Sequence, residues 1–233
     1  MSARYAVYFA PKKSSGWHDF GAHWLGRDEF DNQRLPQPAP EEMSPNQFEG
    51  LTQVPRRYGF HATLKAPFHL AAGVALPELM ARMATLASTL APLPLGELKA
   101  ATLGDFVALV PTAPAPGLHE LAAACVTGLD DLRAPPVASD LIRRQADVLD
   151  ARAIELLTRY GYPHVLERFR LHFTLTGPAT ADVAAMVTRA VATPVEYLNE
   201  HEPLVLDRLC LFMESAPGAD FLRIADFALE PMT

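Results

Sequence analysis

Cysteine and tryptophan are scarce: two of each in 233 residues. Cys125 and Cys210 are too few to staple a disulfide scaffold, and neither has neighbours of metal-ligand type, so two buried thiols of a reducing compartment are expected. Long apolar runs are missing as well. The most apolar start, YAVYFA at 5–10, is stopped by Pro11, Lys12 and Lys13, short even for a signal-peptide core and far short of a membrane span. Positive charge is in deficit, 20 Lys and Arg against 27 Asp and Glu for a net charge of -7, which excludes a protein that coats nucleic acid by charge alone. No glycine-rich stretch has the form of an ATP-binding loop. What remains is a cytoplasmic, globular chain, 49% hydrophobic, with enough residues for one sizeable core. Any anion it recognises must sit in a local basic pocket.

The hydrophobic pattern is ordered. Residues 5–10, dense in aromatic and β-branched types, read as a first strand. From Lys12 to Pro55 no period is sustained, and Gly16, Gly21 and Gly26 alternate with Trp17, Trp24 and Phe30; a lid-like insertion over 12–55 is expected, held by packed aromatics. Leu76, Leu79, Met80, Met83, Leu86, Ala87 and Leu90 then recur at helical spacing, with Pro77 in the first turn and Pro92 past the end. LGELKAATLGDFVALVP reads as two strands turning at Gly104-Asp105. This order of strand, helix and hairpin comes again: a strand over 169–177, a helix at about 180–192 with Val183, Met186, Val187, Ala190 and Val191 on one face, and two strands around SAPGAD. The chain thus carries a duplicated supersecondary unit. Between the copies, residues 116–160 read as a helical insertion broken at Pro135-Pro136.

Each copy opens on His-x-Thr-Leu, in YGFHATLKAPF at 58–68 and in FRLHFTLTGP at 169–178. Two such tetrapeptides are expected by chance about 0.002 times in this composition, which leaves a repeated polar strand face as the structural alternative. Alternate residues of a strand face opposite sides. Phe60, Ala62 and Leu64 therefore form an apolar face, as do Phe169, Leu171, Phe173 and Leu175. The opposite faces read Arg57, Gly59, His61, Thr63, Lys65 and Arg168, Arg170, His172, Thr174, Thr176. Such faces, rich in donors and positive charge, suit a phosphate. Cleaving a phosphodiester needs a base at the attacking oxygen and an acid at the departing one; two imidazoles serve both, and threonine hydroxyls can hold the non-bridging oxygens.

On the same parity Lys65, Arg57 and Arg170 are expected to touch substrate. Tyr58 falls on the core face at the start of the strand, a packed ring that the strand edge can turn toward a ligand. Arg143 and Arg144, at the start of a helix where basic side chains gain nothing from the dipole, are weaker pointers to phosphate. Trp17 and Trp24 either stack on a base or ribose or anchor the 12–55 segment, and His69, past Pro67, reads as structural. No Asp or Glu stands at ligand spacing in either motif strand, and threonine is a poor ligand for zinc or iron, so no metal is expected.

The paired His-x-Thr-hydrophobic motifs make the sequence similar to the two-histidine (2H) phosphoesterase superfamily, which includes RNA 2′-5′ ligase-like enzymes and cyclic nucleotide phosphodiesterases. RYGFHATLKAPF, GYPHVLERFRLHFTLTG and CLFMESAPGADF further resemble one branch, encoded beside phosphonate-utilisation genes. The resemblance covers nearly the whole chain. It implies an α+β fold in a single domain over 1–233, with two pseudo-twofold-related lobes, each a mainly antiparallel sheet with helices on its outer face, around a cleft that carries both His-x-Thr strands. Lobe one is placed at about 56–111 and lobe two at about 165–233, with strand 5–10 available for exchange. It implies His61 and His172 as the catalytic pair, in roles that swap with reaction direction, Thr63 and Thr174 as phosphate ligands, and no cofactor. The expected function is metal-independent hydrolysis of a small cyclic or 2′-5′-linked ribose phosphodiester, within phosphonate metabolism. Expected partners are a small phosphorylated ribose or nucleotide and, further, an RNA end, but neither DNA nor membrane. The alternative is a non-catalytic protein that binds a phosphorylated ligand or an RNA end.

Overall fold

The aromatic run near the start forms strand β1 (Arg4–Phe9), which becomes an inner strand of the larger sheet. The computed structural model describes residues 3–135 and 149–230. On one side β1 pairs antiparallel with β2 (Ala62–Phe68); on the other it pairs with β8 (Arg208–Glu214), which turns back into β9 (Phe221–Ala228). The second sheet is β4 (Leu98–Leu103), β5 (Phe106–Pro111) and β6 (Phe173–Thr174), in that order. A short antiparallel pair joins β3 (Leu93–Pro94) to β7 (Val205–Leu206). Each of the two larger sheets therefore draws strands from both copies of the repeated unit. The hairpin of the second copy extends the sheet that holds β2, and the hairpin of the first receives β6.

Both hairpins turn where Gly and Asp predict. Leu103 faces Phe106 across Gly104, which adopts a φ of 62°, and Gly218 in the second turn has a φ of 88°. The second motif strand is far shorter than 169–177. A 3-10 turn at Leu166–Arg168 precedes it, and only Phe173–Thr174 ladder with β5, although Leu175 and Thr176 still donate their amides to the Val107 carbonyl.

Among the described residues six α-helices form. The segment 12–55, which lacks a sustained period, contains two of them, α1 (Gly16–Leu25) and α2 (Pro45–Arg56). Capping marks both. Ser15 accepts from the His18 amide, and Ser44 with Gln47 forms a capping box ahead of Pro45. Trp17, His18, Gly21, Ala22, Trp24 and Leu25 form one buried face opposite exposed Asp19 and His23, but His18 and Gly21 within that face interrupt the apolar pattern and hide its period. Trp17 and Trp24 are 1% and 3% exposed, and their indoles donate to the carbonyls of Glu202 and Leu175. They anchor the segment and present no face to a ligand. Gly21 is required by close approach, since a Cβ there would lie 2.0 Å from Phe60 Cγ.

α3 (Leu76–Ala87) buries Leu79, Met83 and Ala87 as its spacing predicts. α4 (Leu118–Thr127) and α5 (Ala151–Tyr160) bracket the undescribed residues, among which Arg143 and Arg144 fall. α6 (Ala181–His201) overruns the expected end near 192 and passes through Pro194. Proline costs a helix one backbone bond, but Val195 and Leu198 continue the buried stripe of Ala184, Val187 and Val191, and that packing carries the helix on. Ala190, expected on the buried face, is exposed. Among the described residues no helix is long and apolar enough to cross a membrane.

One core cluster runs from Val7 and Phe9 through Phe60, Leu64 and Phe173 to Leu209 and Leu211. Within it Phe60 and Phe173 stack with centroids 5.0 Å apart. These are the residues just before His61 and just after His172, so the core itself sets the two motifs side by side.

Candidate active site

His61 immediately precedes β2, and His172 immediately precedes β6. The two rings are held in the same way. Nδ1 of His61 donates to the Gly59 carbonyl at 3.0 Å, and Nδ1 of His172 donates to the Arg170 carbonyl at 2.8 Å. With Nδ1–H engaged two residues upstream, the neutral ring keeps its lone pair on Nε2. The Thr63 hydroxyl lies 3.2 Å from that atom in His61. Gly59 reaches this position through a left-handed φ of 76°, and a Cβ there would meet Glu29 Cβ at 2.8 Å.

Tyr8 stacks on the His61 ring with centroids 3.8 Å apart and is itself backed by Phe212 at 5.0 Å. Burial pushes the His61 pKa down to about 4; the bond to Gly59 works against that shift, while the charges of His172 and Arg27 add to it. The ring is therefore neutral at pH 7. Burial also raises the Tyr8 phenol well above its ordinary range, which keeps it neutral.

These groups open on a cleft of about 420 Å³. One wall carries Arg4, Tyr8, Arg57, Tyr58, His61 and Thr63; the other carries Asp105, Phe106, Thr174, Thr176 and Gly177. His172 stands against Phe106, ring centroids 5.9 Å apart. His61, Thr63, Thr174, Arg57 and Tyr58 are thus brought to one cleft, while His172 lies outside its lining and packs on Phe106, which belongs to it. Tyr58, placed by strand parity on the core face, lines the cleft instead and stacks on Phe221 at 5.1 Å.

Lys65 departs from the expectation. It is 3% exposed, and its ammonium donates to the Val126 carbonyl at 2.9 Å and to Asp130 at 3.2 Å, on the core side. A β-bulge is the cause. Tyr8 faces Thr63 but Val7 faces Lys65, so Leu64 is an extra residue and parity inverts after it. Ala66 and Pro67 take the cleft positions that Lys65 would have held. Arg170 is exposed and outside the cleft lining; what it supplies is the carbonyl that fixes His172. His69 is structural, its Nδ1 bonded to the Ala3 carbonyl at 3.0 Å. Cys125 and Cys210 are buried and unpaired, with the Cys125 thiol pushed up to about 12 by burial.

Sequence reasoning missed Arg4, Tyr8, Glu214 and Tyr162, while Thr176, read on the polar face of the second motif, does line the cleft. Alternation in RYAVYFA does put Arg4, Ala6 and Tyr8 on one face, but nothing local says which strands flank them. Glu214 is buried opposite Arg4 in the β1–β8 ladder and pairs with both Arg4 and Arg57. Thr176 is 1% exposed and accepts the Val107 amide at 3.0 Å, closing the floor of the cleft.

Apart from the motif strands, His18, Asp28 and Glu29 bring one ligand atom each within 4.8 Å of one another, a grouping with the donor set for a divalent ion. Among the described residues His18 Nε2 and both Glu29 oxygens find no hydrogen-bond partner, while Arg223 competes for the same carboxylate at 3.6 Å.

Fold and site together define an antiparallel α+β protein with two similarly held imidazoles beside one cleft. The chain belongs to the family described as "Protein of unknown function (DUF1045)", whose model matches residues 63–222, a range that begins at Thr63, two residues past His61, and holds the second motif whole. It is 37% identical over 226 residues to a protein of Janthinobacterium sp. (strain Marseille) named ribose 1,5-bisphosphate phosphokinase PhnN, an alignment covering 94% of this chain and 49% of that one. It is 39% identical over 227 residues to a protein of the same name from Laribacter hongkongensis (strain HLHK9), covering 94% of this chain and 50% of the relative. The chain thus spans about half the length of these curated relatives.

Proposed function

We propose that this protein is a metal-independent phosphodiesterase that opens a small cyclic or 2′-5′-linked ribose phosphodiester by general acid/base catalysis between His61 and His172. The observation that carries the reading is the matched restraint of the two rings, each with Nδ1–H on the carbonyl two residues upstream and Nε2 left for proton transfer. In the hydrolytic direction a water attacks phosphorus and gives its proton to Nε2 of His61. Protonated His172 donates to the departing ribose oxygen as the P–O bond breaks, and a phosphomonoester remains. His61 suits the base because burial keeps it neutral at pH 7. Thr63 and Thr174 hold the non-bridging oxygens as charge builds in the transition state.

A ribose phosphate is the favoured substrate, since the relatives carry the name of an enzyme acting on ribose 1,5-bisphosphate. The kinase part of that name belongs to proteins about twice as long, and no ATP-binding loop stands in this sequence. A net charge of -7 and a cleft of about 420 Å³ favour a sugar phosphate over an RNA end. Resemblance to the branch found beside phosphonate-utilisation genes, together with the relatives' names, supports a role in phosphonate metabolism.

The test is turnover of a panel of cyclic and 2′-5′ ribose phosphodiesters, with and without excess chelator. Hydrolysis should survive chelation, and His61→Ala and His172→Ala should each lower kcat by about three orders of magnitude or more. Near-normal turnover in either variant, or tight product binding with no turnover of any diester, would end the proposal.

A further inference from the structure

The cleft has a second pole, distinct from the histidines. Arg4 on β1 and Arg57 just past α2 both line it, and both lean on one carboxylate, Glu214, which is 1% exposed. Glu214 also accepts the Gly218 amide at 2.9 Å, so it is fixed from behind. Two guanidiniums against one carboxylate leave a surplus positive charge at this wall. Glu214 itself lies behind the lining, whose one carboxylate among the described residues, Asp105, stands in the β4–β5 turn.

The donors are only partly used. Arg57 gives Nε to the Ala219 carbonyl at 2.9 Å, one Nη to Glu214, and the other to the Tyr58 hydroxyl at a long 3.3 Å. Arg4 gives Nε to Glu214, and its two Nη groups carry no hydrogen bond among the described residues. Both side chains keep access to the cleft, 22% and 25% exposed. A guanidinium pinned from behind by a buried carboxylate, with its outer donors turned to a cleft, is preorganised for the fork geometry of a phosphate.

Spacing relates the two poles. The Arg57 guanidinium lies 5.3 Å from the Tyr58 ring, whose centroid is 6.1 Å from that of His61. One aromatic ring therefore separates the poles, the scale of a single pentose, and that ring offers the sugar a flat wall.

We propose that Arg4 and Arg57 bind a second, unreacting phosphate monoester of the substrate. The preferred substrate is then a ribose bearing a phosphate monoester besides its cyclic diester. Water opens the diester, one P–O bond breaks, the remote phosphate is untouched, and the product is a ribose bisphosphate. This rests on the phosphodiesterase reading for the reacting end, but the subsite is measurable without turnover.

The experiment is calorimetric binding of ribose 1,5-bisphosphate and ribose 1-phosphate to the whole chain, wild type, Arg4→Gln and Arg57→Gln. Wild type should prefer the bisphosphate by about 10- to 100-fold, the range for charge-assisted bonds to one phosphate. Each variant should lose most of that preference while ribose 1-phosphate weakens far less. Glutamine at 4 keeps a donor for Glu214, which guards against a misfolded variant. Should a variant still fail to fold, the wild-type ratio decides alone: a clear preference that shrinks as salt rises supports the subsite. Equal affinity for the two sugars, or variants that weaken both alike, overturns it. Intact preference with no hydrolysis of any cyclic diester would remove the phosphodiesterase reading and leave the subsite standing.

Discussion

Lowering the pH is the perturbation that reads the His61 environment most directly. Burial beneath Tyr8 holds the ring at a pKa of about 4, against about 6.5 for an exposed imidazole. Between those values the unfolded chain binds the proton and the native chain does not. Stability therefore rises with pH across the window, and what is present above 6.5 is lost as the pH falls toward 4. At 1.36 kcal/mol per unit the gap amounts to about 3 kcal/mol, and water in the cleft screens it to about 2. Glu29 works with the opposite sign. Its carboxyl is raised by burial, so the native state holds that proton more tightly and Glu29 favours the acid side of the same region.

Comparison with His61→Asn isolates the ring, because Glu29 is common to both proteins. Urea unfolding in steps from pH 7.5 to 4.5 should show wild type losing about 2 kcal/mol more than the variant. In the wild-type enzyme kcat/KM should hold down to about pH 5 and fall only near 4, since the free-enzyme base sets that limb. An NMR titration of the His61 ring with a midpoint at 6 or above would refute the argument. So would stability curves for the two proteins that run parallel.

Two other substitutions separate structural from substrate-facing groups. Lys65→Met should cost no more than about 2 kcal/mol, because Asp130 keeps Arg133 at 3.0 Å and the methionine fills the apolar site, and KM should not move; a tenfold rise in KM would return Lys65 to the cleft. Gly59→Ala should cost about 1–2 kcal/mol for the left-handed backbone alone, with more for the contact on Glu29, and should slow turnover by about tenfold or more as the carbonyl leaves Nδ1 of His61. An unchanged Tm together with full activity would sink that account.

Much of the fold was legible because period and turn chemistry agree with it. α3 and both hairpins sit where Leu79, Met83, Gly104 and Gly218 say they should. Local patterns fail where tertiary burial overrides them. α1 buries His18 and Gly21 along with its apolar residues, so its stripe is masked in the sequence, and α6 crosses Pro194 because Val195 and Leu198 still find the core. For the candidate site, repetition pointed to the two motif strands, and His61, Thr63 and Thr174 line the cleft. Lys65 was misplaced because a bulge leaves no mark on a period of two, and nothing in AT-LKAP distinguishes the extra residue. Arg4 and Glu214 were unreadable for a different reason, being brought together across 210 positions by a ladder register.

That ladder also bears on why the two motifs hold their geometry. Neither histidine is placed by its own copy of the repeated unit. β2, next to His61, is fixed through β1 to the β8–β9 hairpin of the second copy, and β6, next to His172, is fixed to the β4–β5 hairpin of the first. The contact between Phe60 and Phe173 then closes the arrangement through the core, one residue from each imidazole. A change in the packing of either hairpin must therefore reach the ring of the other copy. The separation of the imidazoles belongs to the core as a whole, which is as rigid as close packing makes it. An in-line displacement, with one proton carrier on each side of phosphorus, needs a fixed separation of that kind, and loops alone would not supply it.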